Sequence, residues 1–115
     1  MKTIIYHNPR WGKSRDSVRI LSDKKIPFTI IEYLKEPLEV KELKHIIKLL
    51  NLNALDIVRT AEKDYRDNNI GAVSNDEQKL LEAIERFPKI MQRPIIIHGK
   101  KAIIGRPPEN INKIL

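Results

Sequence analysis

Short β-branched runs and amphipathic stretches follow one another along this chain in a definite order. Lys2–Tyr6 is a short β-branched run and reads as a strand. Asn8-Pro9-Arg10-Trp11-Gly12 breaks it with loop residues. A helix is then predicted from Lys13 or Ser14, with Val18, Leu21 and Ile20 inward and Pro27 closing the stretch. Phe28–Leu34 reads as a second strand. Beyond Pro37, Val40, Leu43, Ile46, Ile47 and Leu50 recur at the spacing of one helix face. Asn51–Asn53 interrupts that helix, and a short one from about Ala54 carries Leu55 and Val58 towards Arg59. Ser74, with Glu77 three residues on, has the pattern of a capping box opening a helix on Leu80, Leu81 and Ile84, and Pro88 lies just past its end. Pro94–Ile97 and Ala102–Ile104 read as a hairpin through His98-Gly99-Lys100-Lys101. Pro107 and Pro108 suit the first turn of a last short helix.

The order is β-α-β, then helices, then β-β-α. That is the order of a thioredoxin-like α/β fold with a helical insertion at about residues 38–90. The length of 115 residues predicts one domain over 1–115. With 41% apolar and 32% charged residues, the chain can build a core without disulfides or metal. It has no cysteine, which removes every thiol-based mechanism from the protein itself. No apolar run approaches signal-peptide or membrane-span length, so the expectation is a soluble, cytoplasmic protein.

Charge changes the picture more than composition does. Residues 1–27 carry +5, residues 28–86 carry −3 and residues 87–115 carry +5. If the two ends meet in the fold, they form one positive region suited to an anion. The 19 Ile, 14 Lys and 8 Asn also suit an AT-rich genome, which raises the lysine count without a binding role. No nucleic-acid-reading motif accompanies the charge, so nucleic acid is not expected as a partner.

The strand-to-helix loop from Tyr6 to Arg15 is the most informative segment. A helix N-terminus offers backbone N–H groups and positive dipole density, and Arg10, Lys13 and Arg15 surround this one. Gly12-Lys13-Ser14 lacks the glycine that a P-loop needs five residues before Gly12, where His7 stands, so a nucleotide site is rejected. Three histidines without metal-ligand spacing support no metal site, and His45 reads as a surface or packing residue. His7 reads as a hydrogen-bonding residue, with a role as base as the sharper alternative.

Tyr6-His7-Asn8-Pro9-x-Trp11-Gly12-x-Ser14-Arg15 resembles the Y-x-N-P-x-C-G-x-S-R signature of the glutaredoxin-dependent arsenate reductases and their relatives, the Spx regulators among them. The resemblance runs on through Tyr33-Leu34 with Pro37, Leu55-Asp56-Ile57-Val58-Arg59, Gln92-Arg93-Pro94-Ile95 and Gly105-Arg106-Pro107, essentially the whole chain. It implies that Arg59, Arg93 and Arg106 bind the oxyanion and that His7, Asn8, Gly12, Lys13 and Ser14 shape the loop. It also implies a cis proline at Arg93-Pro94. Trp11 stands at the position of the catalytic cysteine.

Three readings follow from that departure. The first is an arsenate-reductase-like protein that keeps its arginines, binds arsenate, phosphate or sulfate, and lacks thiol turnover. The second is a Spx-like regulator docking on RNA polymerase through its α subunit, with Trp11 as an anchor of the kind that dominates protein interfaces. The third is a reductase in which Trp11 replaces the cysteine. No cofactor is expected to be bound. The resemblance implies glutathione as co-substrate and glutaredoxin as partner. The chain is expected to be a monomer. For the arginines, the bland reading is pairing with Glu32, Asp56 or Glu109; for Trp11, it is a plug.

Overall fold

The computed structural model describes residues 2–115, which form two compact units. The first unit comprises residues 2–36 and 93–115, and the second residues 37–92.

In the first unit, β1 (Thr3–Tyr6) leads through the loop into α1 (Gly12–Asp23), followed by β2 (Thr29–Ile31). The second unit carries α2 (Val40–Leu50), α3 (Lys63–Asp67) and α4 (Glu77–Arg86). The chain then returns to the first unit as β3 (Ile95–His98) and β4 (Lys101–Ile104), ending in a 3-10 helix over Pro108–Lys113. The sheet order is β2-β1-β3-β4, with β1 and β2 parallel and the other pairs antiparallel. This is the mixed sheet of a thioredoxin-like fold, as the element order predicts.

Period two decides the packing. Ile5 and Ile96 are register partners, both fully buried, and they join Leu21, Ile111 and Ile114 in one core under α1 and the last 3-10 helix. Their neighbours Tyr6, Ile95 and Ile97 point to the other face and are buried as well. The β3–β4 hairpin closes through Gly99-Lys100. Gly99 sits at φ 63, which fits a two-residue turn with glycine in its first position. Gly105 is required by close approach: a Cβ there would stand 2.9 Å from Pro94 Cγ and from Ser17 Oγ. Its N–H donates to Pro94 O at 2.8 Å, pinning the end of β4 to the start of β3.

Several boundaries differ from the sequence reading, each for a local reason. β2 is shorter than Phe28–Leu34, because residues 33–35 turn. Helix α1 starts one residue earlier, at Gly12. It ends through a left-handed Lys25, whose N–H donates to Ser22 O while Ile26 N–H donates to Leu21 O, before Pro27 is reached. Asn51 ends α2 in the same way, at φ 58. The expected cap at Ser74 is a correction. Asp76 caps α4 by accepting from Lys79 N at 3.1 Å, and Glu77 accepts instead from Ala54 N at 3.0 Å. Ser74 instead closes the preceding 3-10 turn in αR backbone, whereas Asp76 has the extended backbone of an N-cap. In the turn from Ala54 to Ile57, Ala54 and Ile57 are buried and Leu55 is exposed, since the segment is 3-10. Leu43, Ile46, Leu80, Leu81 and Ile84 form the buried stripes of α2 and α4, which pack together.

Candidate functional site

The loop between β1 and α1 is tied down by its own polar residues. Asn8 is 4% exposed and organises the turn. Its Oδ1 accepts from Arg10 N at 3.1 Å, its carbonyl accepts from Trp11 N at 3.1 Å, and its own N–H donates to Ser14 Oγ at 3.1 Å. Ser14, fully buried, also lies 2.6 Å from His7 Nδ1. With the neutral imidazole protonated on Nε2, the serine hydroxyl donates to Nδ1 while its oxygen accepts from Asn8 N–H. The loop residues His7, Asn8 and Ser14 are therefore brought together as one buried network.

His7 holds its pKa below the ordinary 6.5, chiefly because burial disfavours the charged ring. Glu32 pulls it back up and Arg15 pushes it down further. The unfolded chain thus binds the proton more readily than the folded one. Stability contributed by neutral His7 is complete above about pH 6.5 and declines as pH falls towards the folded pKa. The melting temperature should fall with acidification in that window, and His7→Gln should flatten the slope. A variant with the wild-type slope would remove His7 from the acid response.

Trp11 precedes the first helical residue, with extended backbone at φ −102 and ψ 129, and its carbonyl accepts from Arg15 N at 3.0 Å. An indole has no acceptor, so it cannot cap the N–H groups of α1, and the first turn holds no acidic side chain. The first turn itself therefore supplies no negative charge to the positive end of the helix. Gly12 opens the helix; Lys13 is exposed, and its carbonyl accepts from Ser17 Oγ at 3.0 Å. Arg15 donates to Pro9 O at 3.0 Å.

The arginines are placed differently from one another. Arg93 is 4% exposed, and its guanidinium carbon lies 3.6 Å from the centroid of the Trp11 ring. Such a desolvated cation–π contact contributes about 2 kcal/mol. The Arg93-Pro94 bond is cis, as the resemblance implies, and so is Arg106-Pro107. Arg106 is exposed just past β4. Arg59 belongs to the second unit, where its Nη1 stands 3.7 Å from Glu62 Oε2. Glu62 is thus a carboxylate neighbour of Arg59 that the sequence reading did not name. The i, i+3 spacing was the available signal for that pair, whereas the Trp11–Arg93 stack joins residues that only the family resemblance puts at one site.

The first unit, which contains the loop, carries thirteen Lys and Arg against five Asp and Glu, a net charge of +8. Both basic ends of the chain fall in it. Among the described residues, no group of three His, Asp or Glu side chains could hold a metal ion, and no helix is long and apolar enough to cross a membrane.

Residues 6–114 match the ArsC family. The chain belongs to that family. It is 38% identical over 116 residues to an arsenate reductase of Haemophilus influenzae, covering 100% of both chains. It is 32% identical over 111 residues to the global transcriptional regulator Spx of Streptococcus pneumoniae, covering 96% of this chain and 84% of that protein. An arsenate reductase structure from Vibrio cholerae superposes with a TM-score of 0.95 at 35% identity, over 100% of this chain and 98% of that one. Within the ArsC family, this chain is a member with a tryptophan and no cysteine.

Proposed function

We propose that this ArsC family protein binds a small oxyanion such as arsenate, phosphate or sulfate and does not reduce it through a protein thiol. The observation that carries the reading is Trp11 at the position of the family cysteine, in a chain without any cysteine, beside a buried arginine and an open helix N-terminus. Arg93 supports an anion role because a buried guanidinium near uncapped backbone N–H groups gains from a negative ligand. Arg59 and Arg106 enter the set by the family resemblance. Ser14 does not substitute for the thiol: its hydroxyl is buried and engaged with His7 and Asn8. Glutathione and glutaredoxin act in this family on a protein thiol adduct, and no such adduct can form here.

Trp11 is the only tryptophan, so its fluorescence reports on the loop directly. Arsenate, phosphate and sulfate should each perturb it in the low-millimolar range, equivalent to a site on the order of 4 kcal/mol. Arg59→Ala, Arg93→Ala and Arg106→Ala should each weaken the response. A flat titration by both fluorescence and calorimetry would assign the arginines to structure alone.

The similarity to Spx favours a second reading, a regulator that docks on RNA polymerase through its α subunit. Retention of the purified carboxy-terminal domain of polymerase α on the immobilised chain would favour it over the anion-binding one.

A further inference from the structure

We infer that Trp11 is a positioning residue for Arg93: the indole holds the guanidinium by its face and leaves its edge to the oxyanion. The inference rests on the anion-binding reading and names the part Trp11 takes in it. A guanidinium carbon 3.6 Å from the ring centroid is in stacking contact, since an N–H aimed at the ring would hold that carbon farther away. Stacking uses the π face, whereas the N–H donors lie in the guanidinium plane and form the fork that matches an oxyanion. The two interactions are compatible, so the indole need not be displaced for an anion to bind.

Both partners of the stack stand on fixed backbone. Trp11 is held by its N–H to Asn8 O at 3.1 Å and by its carbonyl from Arg15 N at 3.0 Å. Arg93 precedes Pro94, whose carbonyl receives Gly105 N at 2.8 Å. An arginine already restrained in one rotamer loses less entropy when an anion arrives. Trp11 thus contributes to affinity through Arg93, at the position where the family resemblance puts a bond-forming atom.

The test combines nuclear magnetic resonance of the Arg93 Nε–Hε group with calorimetry using inorganic phosphate. In the anion-free wild-type chain the Hε signal should show an upfield ring-current shift, lost in Trp11→Leu and kept in Trp11→Phe. Trp11→Leu should weaken phosphate roughly fivefold to tenfold, the cost of ordering an arginine side chain that has lost its stacking partner. Trp11→Phe should restore most of the affinity. In an Arg93→Lys background, Trp11→Leu should cost nothing more, which separates positioning from a general effect on the fold. Phosphate bound as tightly or more tightly by Trp11→Leu would mean that the indole is a plug, and would overturn the inference while leaving the anion reading intact. An undiminished loss in the Arg93→Lys background, or an unshifted Hε signal, would overturn it equally. Absence of phosphate binding by the wild-type chain would overturn the anion reading itself.

Discussion

Trp11→Cys is expected to create a thiol with a pKa at least about one unit below the free value of about 8.5. The causes act in the same direction. Residue 11 immediately precedes α1, whose first turn carries no acidic side chain to offset the dipole. Arg10, Lys13 and Arg15 flank it in sequence, and the buried Arg93 guanidinium already lies against the side chain at this position. Each favours thiolate over thiol. The chain holds no other cysteine, so the pH dependence of iodoacetamide alkylation reads this one site without subtraction. Thiolate absorbance near 240 nm, about where thiolate rises above thiol, provides an independent titration. A pKa at or above the free value would show that the cations do not act on residue 11. A depressed pKa without arsenate turnover would locate the remaining loss in glutathione or glutaredoxin docking. That outcome fits the physical expectation, since removing an indole from a loop shaped around it leaves space that the backbone fills imperfectly.

The fold was legible because its signals are local and periodic. Ile5 and Ile96 announce buried strands by β-branching, and Leu43, Ile46 and Ile47 announce a helix face by spacing. The misread points are places where several polar residues compete for one role. Ser74 and Asp76 both suit a cap; Asp76 takes it, and Glu77 is engaged with Ala54, a contact 23 residues away in sequence. The site was legible as a list of residues more than as an arrangement. The network of His7, Asn8 and Ser14 lies within eight residues, so loop chemistry alone brings it close to view. The Trp11–Arg93 stack spans the length of the chain and depends on β1 and β3 being sheet neighbours, which no spacing rule encodes. Arg59 is the opposite case: Glu62 lies three residues on, a spacing that sequence can show.

The wild-type chain is expected to give no glutaredoxin-dependent reduction of arsenate above the rate of glutathione alone. Reducing arsenate to arsenite takes two electrons, and in a thiol route they come from two sulfurs that end as a disulfide. In the route that the family resemblance implies, a protein thiolate makes the first sulfur–arsenic bond, and this chain has none. Ser14 could at most form an ester oxygen, and a hydroxyl supplies no electron pair that ends in a stable oxidised bond. It is also fully buried, with its oxygen held by His7 and Asn8. An anion site without the nucleophile forgoes the covalent step, so bound arsenate is held without being reduced. The measurement is NADPH consumption coupled through glutathione reductase and glutaredoxin, with Trp11→Cys assayed alongside as the variant that regains a sulfur. Wild-type rates should stay flat as protein concentration rises. A rate that scales with the wild-type chain and saturates with arsenate would show that this site reduces its anion by a route that bypasses a protein thiol. The binding reading would then give way to an enzymatic one.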